Sequence, residues 1–400
     1  MKKSQYILVL ICFILSACAP DRVTETPALL QVTTATQSKR APAGDHTSTL
    51  PPATSIRVPN IPTKTPGPSP LPVATAFPTM GPIVHRQSGE LYETVFRIPV
   101  GSDSVIQYQE LPGAILGPNA LAIQSDDTFI ISDHTTHENR LLYFDREGSL
   151  IRSIDLDGLG ISYVTDMRIR GDIVLLLELT YHGSYKIHQL SQDGSIVSSE
   201  DIPEKFPSSS GKRLAAGEVN IAIDCEMNVL MVLEGGYKVY RFTDVLITPN
   251  LLKLQEGFPC NGRYYRVIDS QGSISRIDAG GVIYETLLTS GFGGLTFLDV
   301  FVDGSIYVVR NDVVNEQVIE VDQTIHFLSD DGATRGVARV PLSEYYYPIF
   351  RNAAISSTGE VYALLPRIDS LDMIRLNFYT EIPSLLSDGN SPEISVLSTP

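Results

Sequence analysis

Leu121-Ala122-Ile123 runs through Ser125-Asp126-Asp127 into Thr128-Phe129-Ile130-Ile131. Four more stretches share that plan. Ile221-Ala222-Ile223 passes Asp224-Cys225-Glu226 to reach Val229-Leu230-Met231-Val232. Val300-Phe301-Val302 passes Asp303-Gly304 to Ile306-Tyr307-Val308-Val309. Ala353-Ala354-Ile355 passes Ser357-Thr358-Gly359 to Val361-Tyr362-Ala363-Leu364. Met167-Arg168-Ile169, Arg170-Gly171 and Ile173-Val174-Leu175-Leu176 make the fifth. Each reads as a strand, a tight polar turn and a second strand. No segment beyond Leu91 sustains a helical period, so the predicted class is all-β.

The flanking halves repeat as well. Leu141-Leu142-Tyr143-Phe144-Asp145-Arg146-Glu147-Gly148 matches Ile187-His188-Gln189-Leu190-Ser191-Gln192-Asp193-Gly194, and Ile325-His326-Phe327-Leu328-Ser329-Asp330-Asp331-Gly332 follows. Four strands per unit of roughly 40–55 residues is the size of a propeller blade. The stretch from Ile131-Ser132-Asp133 to Asn139-Arg140-Leu141-Leu142-Tyr143-Phe144-Asp145 resembles an NHL-type repeat over about 35 residues, and the other units follow it in outline. A weaker unit, with strands expected at 264–269, 273–278 and 282–288, brings the prediction to a six-bladed β-propeller over residues 89–400. A β-sandwich or a pair of small barrels is the alternative. The last unit stops at its third strand, over 373–379; an early strand, 95–100 or 105–109, would fill the open place. Such closure removes free sheet edges.

Ahead of the repeats, Lys2 and Lys3 precede an apolar run over 6–15 and then Leu15-Ser16-Ala17-Cys18. The run is shorter than the ~20 residues a spanning helix needs, and a basic start with small residues before a cut reads as a secretory signal. Leu-Ser-Ala-Cys resembles the lipobox of bacterial lipoproteins. That resemblance implies a signal peptide over 1–17, diacylglycerol on the Cys18 thiol and acylation of the new amino terminus, with palmitate among the candidate chains. An ordinary signal with an incidental cysteine is the other reading. One acyl chain anchors only marginally, whereas two or three hold a soluble head on a bilayer. The expected location is therefore extracytoplasmic, in a bacterial cell envelope, with Cys18 as the membrane attachment.

Residues 18–88 are dominated by Thr, Pro, Ala and Ser, as in Pro62-Thr63-Lys64-Thr65-Pro66-Gly67-Pro68. Such composition cannot bury enough apolar surface to fold, and its prolines favour an extended chain. The segment is predicted to be a disordered tether, reaching roughly 200 Å at ~3.1 Å per residue if fully extended. Sugar attachment to its Thr and Ser residues is a further expectation.

With 46 acidic against 30 basic residues and a net charge of −16, no basic stripe exists for nucleic acid. Of four cysteines, Cys12 would leave with the signal and Cys18 would carry lipid. Cys225 and Cys260 remain for an oxidising compartment, where a disulfide persists; two buried thiols are the alternative. No phosphate-cradling glycine loop and no Gly-x-Ser-x-Gly elbow is present. The absence of tryptophan argues against WD-type blades and against quinoprotein propellers.

The position before each inner apolar triplet holds Ala120, Asp166, Asn220, Asp299 and Asn352. In a propeller these converge near one mouth of the central channel. Carboxylate and amide oxygens suit Ca²⁺. The set is similar, in residue type and register, to the one that calcium-dependent six-bladed lactonases and esterases place there. The alternative is a polar ring that satisfies strand-end amides and channel waters. Asp133-His134-Thr135-Thr136-His137-Glu138 looks ligand-rich, though a transition-metal site needs three or four converging ligands and no second cluster supplies them. Tyr181-His182 and Tyr345-Tyr346-Tyr347 fall in loops that the repeat phase places on the face of His134 and His137. Tyrosines in loops make good contact surfaces, and equally good edge packing.

Two functional readings follow. The first is a binding module that recognises a protein or glycan through that loop face. The second is a calcium-dependent hydrolase of lactones or esters built on the Asp/Asn ring. A purely structural envelope protein is a third.

Overall fold

The computed structural model describes residues 81–380, apart from 88, 102–103, 113, 203–218, 234–237, 244–249, 255–256, 269–271, 279–280, 289–292, 302 and 316–319. Cys18, the signal segment 1–17 and all of the tether before residue 81 lie outside the described residues. Among the described residues, no helix is long and apolar enough to cross a membrane.

Consecutive strands pair antiparallel with their sequence neighbours, so each repeat becomes one sheet. Sheet 1 (residues 118–155) runs Pro118–Ile123, Phe129–His134, Asn139–Phe144, Leu150–Asp155. Sheets 2 (163–201), 3 (219–254) and 4 (258–287) repeat that order. Sheet 6 takes three strands from 353–376 and its fourth from Tyr92–Pro99, far upstream. Sheet 5 (293–340) carries four such strands plus two short ones.

Alternation of apolar side chains gives sheets 1, 2, 3, 5 and 6 two greasy faces, each covered by a neighbour, while sheet 4 packs one apolar face into the core. Leu121, Ile131 and Phe144 of sheet 1 meet Phe96, Leu364 and Met373 of sheet 6. The other face, with Ala120 and Tyr143, meets Met167 and Leu176 of sheet 2. Leu175 and Ile187 then face Ile221 and Met231 of sheet 3. Leu230 and Val232 pack with Phe258 and Tyr265 of sheet 4 and with Phe297 and Val308 of sheet 5. Tyr307 and Ile325 return the circle to Ala363 and Ile374 of sheet 6. Burying each such side chain contributes about 1.5–3 kcal/mol. Face-to-face sheets in a closed circle make the molecule an all-β propeller.

The expectation of a six-bladed propeller is corrected here: among the described residues five sheets have the four strands of a blade, sheet 5 has six, and a further sheet is a two-stranded hairpin. After sheet 6 the chain crosses back and Phe378–Tyr379 pairs antiparallel with Thr334–Val340, Tyr379 opposite Val337. Val84–His85 then pairs parallel with Phe378–Tyr379. The edge strand of sheet 5 is thereby covered instead of left open. A second correction concerns sheet 4, where only three strands were expected. Phe258–Cys260 supplies a fourth, opposite Arg263 to Tyr265.

Closure uses the earlier of the two candidate strands. Tyr92–Pro99 pairs with Ser370–Leu376, and Arg97 Nε and Nη2 donate to the Asp372 carboxylate at 2.7 and 2.8 Å. Arg367 Nε donates to the same fully buried carboxylate at 2.9 Å. These donors outweigh burial and hold the Asp372 pKa below its ordinary value. Cys225, in the first turn of sheet 3, and Cys260, ending the first strand of sheet 4, form a disulfide with Cα atoms 4.9 Å apart. Closing a loop of this length is worth about 3–4 kcal/mol in the chain-entropy picture. The repeated glycine turn explains itself at Gly148, whose φ is 81° and whose missing Cβ leaves room for the Phe96 ring.

Candidate functional site

Turns between second and third strands, and the connections between sheets, emerge on one face of the circle. The inner strands also begin on that face, which carries every loop residue singled out from the sequence except the disulfide.

At the channel mouth the Asp/Asn register is real, and three of its carboxylate oxygens accept from backbone N–H groups. Asp166 is fully buried; Oδ1 accepts from Met167 N at 2.8 Å and Oδ2 from Ile221 N of sheet 3 at 2.7 Å. Arg351 Nε lies 3.7 Å from Asp166 Oδ1. Asp299 Oδ1 accepts from Val300 N at 2.8 Å. Arg168 spans the opening: Nε donates to Ile221 O at 3.0 Å and Nη2 to Leu298 O at 3.2 Å. Burial pushes both Asp166 and Asp299 up, and Arg168 opposes that in each. Asn352 Nδ2 donates to Tyr345 Oη at 3.2 Å. Asn220 occupies the same register on sheet 3, half-buried. Ala122, Ala222 and Ala354 stand where sheet 2 has Arg168, so small neighbours leave room for the long side chain.

This donor set does not fit a bound Ca²⁺. A hard cation needs six to eight free oxygens, whereas here backbone N–H donors take both oxygens of Asp166 and one of Asp299. Among the described residues no three His, Cys, Asp or Glu side chains are grouped to hold a metal ion.

Over sheets 6 and 1 the same face is aromatic. Tyr108 and Tyr346 stack at 6.0 Å, and Tyr108 meets Tyr347 edge-on at 5.1 Å. Tyr347 is buried with its hydroxyl donating to Pro118 O at 3.2 Å; Tyr346 is half-buried and its hydroxyl donates to Glu110. Tyr108 Oη donates to Ser370 O at 2.9 Å. Farther in, His134 packs edge-on to Tyr163 at 4.9 Å, and Tyr163 meets the exposed Phe350 at 5.9 Å.

Below the rings sits Asp133, 1% exposed, paired with Arg140 at 3.0 Å; its Oδ1 has no hydrogen-bond partner. Burial, partly offset by Arg140, pushes its pKa up to about 6. Burial likewise pushes His134 down. Gln109, in a two-stranded hairpin (Gln109–Leu111 with Ala114–Leu116), donates to Thr136 Oγ1 and accepts from Thr136 N, both at 2.7 Å. That clamp fixes the turn carrying His137 against the aromatic patch.

The structure thus gathers His134, Tyr346 and Tyr347 into one patch and places Tyr345 beside Asn352. His137, Tyr181 and His182 stand in exposed turns of that face and do not join the ring cluster. Tyr181 is 86% exposed. Sequence reasoning missed Arg168, Arg351, Tyr108, Tyr163 and Phe350. Arg168 had a signal: it lies two residues after Asp166 in a strand, so both side chains share a side. The aromatic residues come from separate connections and had none.

A separate cleft of about 270 Å³ lies near Ile83, His85, Glu93, Glu360 and Arg375, where the early strands meet sheet 6. Its floor is bridged by Arg375, which pairs with Glu93 at 2.5 Å and Glu360 at 2.8 Å.

No family model and no curated protein sequence matches the chain. Solved structures similar to it include a streptogramin B lyase at 14% identity, covering 68% of this chain and 97% of that one, with a TM-score of 0.37. Virginiamycin B lyase from Staphylococcus aureus shows 13% identity over 68% and 99%, TM-score 0.37. The tricorn protease shows 15% identity over 63% of this chain and 25% of its own, TM-score 0.40. The fold assignment rests on the strand topology of the chain itself, and a propeller hosts many functions.

Proposed function

We propose that the chain is an extracytoplasmic recognition module, lipid-anchored through Cys18 in a bacterial envelope, that binds a protein or glycan on the aromatic face over sheets 6 and 1. In this reading the segment between Cys18 and the strand Val84–His85 tethers the head to the membrane. One observation carries the proposal: tyrosine and phenylalanine side chains from three connections converge on the face where loops emerge, with Phe350 39% exposed. Aromatic rings offer rigid contact area at low entropic cost, and rings over carboxylates attract sugars, amines and basic peptides.

The calcium-hydrolase reading is the second one; backbone donors on both Asp166 oxygens and one Asp299 oxygen favour it less, and no catalytic step is built on them.

The test is retention of the purified protein, without residues 1–18, on isolated bacterial envelopes in a sedimentation assay. Retention that falls at least ~10-fold in the Tyr346→Ser, Phe350→Ser double variant supports the proposal. Protease or muramidase treatment of the envelopes separates a protein ligand from a glycan. Equal retention of the two proteins contradicts it. The anchor has its own test: metabolic palmitate labelling present in the wild type and absent from Cys18→Ala.

A further inference from the structure

On sheet 2, Glu178, His188 and Ser199 lie on three adjacent strands and point to one side. His188 Nε2 and Glu178 Oε2 are 2.7 Å apart, and His188 Nδ1 and Ser199 Oγ are 2.7 Å apart. The second Glu178 oxygen accepts from Ser162 N at 2.7 Å. Glu178 and His188 are buried, while Ser199 stands exposed on the outer strand.

Geometry fixes the proton order. Burial opposes ionisation of Glu178, but its His188 and Ser162 hydrogen bonds prevail and hold its pKa below the ordinary value. An ionised carboxylate only accepts, so in the neutral imidazole the proton sits on Nε2. Nδ1 is then an acceptor, and the Ser199 hydroxyl must donate to it. A serine bonded to a base that a third group orients is the signature of an activated nucleophile.

The repeat shows that the blade itself does not demand this arrangement. In sheet 1 the corresponding positions hold Asp133, Leu142 and Ser153; in sheet 5 they hold Arg310, His326 and Val337. Leucine at the His188 position packs equally well. A buried charged group also adds little stability relative to an apolar one. Only sheet 2, among these three, assembles acid, imidazole and hydroxyl.

We infer that Ser199 is a nucleophile activated by His188 and Glu178, giving the outer edge of sheet 2 an activity on small carboxylic esters. Ser199 Oγ bonds to the acyl carbon as its proton passes to His188 Nδ1. The ester C–O bond breaks, and the departing alkoxide takes that proton. Water, losing a proton to His188 in turn, attacks the acyl-serine; carboxylic acid leaves and Ser199 recovers its hydrogen. The inference is independent of the recognition proposal.

The test uses p-nitrophenyl acetate and a fluorophosphonate on the purified protein. The expected result is one phosphonyl adduct, mapped to Ser199, and nitrophenol release that falls at least ~10-fold in Ser199→Ala. Glu178→Gln should slow labelling, because the imidazole loses the carboxylate that orients it. Because His188 is buried, His188→Asn is judged only if its melt matches the wild type; otherwise the wild-type pH profile decides. Labelling that rises with deprotonation of a single group supports the inference. Labelling absent from Ser199, spread evenly over exposed serines or independent of pH overturns it.

Discussion

The channel mouth and the aromatic patch lie on the same face, yet they solve opposite problems. At the mouth, charged side chains are turned inward and consumed: Asp166 is bonded by Met167 and Ile221 N–H groups, with the Arg351 guanidinium 3.7 Å away. Over sheets 6 and 1, rings are held from below and left partly open: Tyr347 is locked on Pro118 while Phe350 keeps 39% of its surface. The polar region bonds neighbouring sheets to one another, and the apolar region is the one proposed to meet a partner. Polar residues in a channel are therefore a poor guide to a binding site unless their bonds are first accounted for.

The sharpest way to break this contrast is Asp166→Ala. It leaves the Ile221 N–H and the Arg351 side chain uncompensated inside the protein, and the expected loss is about 3–5 kcal/mol in urea unfolding. A loss below ~1 kcal/mol would move Asp166 into the open class.

The pH dependence comes next. Burial pushes the Asp133 carboxyl up to about 6 in the folded protein, above the ordinary aspartate value of 3.8. The folded state therefore keeps a proton that the unfolded chain gives up. Its contribution favours folding below about pH 4, is lost as pH rises to about 6, and amounts to at most ~3 kcal/mol. Asp133→Asn should flatten that part of the stability curve relative to the wild type.

Smaller still is the effect of Phe350→Ser, expected within about 1 kcal/mol because the ring is partly exposed. Calcium and a chelator should give melting curves that coincide within about 1 °C, since a ligand stabilises only where it binds the fold. A calcium-dependent rise of several degrees would reopen the Asp/Asn ring as a cation site.

The sequence made the inner hairpins legible because strand alternation is local: Leu121 to Ile131 carries its own turn and both faces. Closure was legible too, since sheet 6 ends one strand short. Phe258–Cys260 was not, because three residues around Pro259 give no alternation. The added pair on sheet 5 was hidden for the same reason, each strand being only two residues long. Register alone marked Asp166, Asn220, Asp299 and Asn352, but it could not show that Asp166 also accepts from Ile221 N of sheet 3 or that Asn352 donates to Tyr345. Tyr108, Tyr163 and Phe350 reach the patch from separate connections, and no local pattern records that meeting.

The central claim is that the aromatic patch, not the channel mouth, meets the partner. Envelope sedimentation of three proteins tests it most directly: wild type, the Tyr346→Ser, Phe350→Ser variant, and Asp299→Asn at the channel mouth. The account predicts that only the patch variant loses retention. Loss in Asp299→Asn with retention intact in a folded patch variant would contradict it.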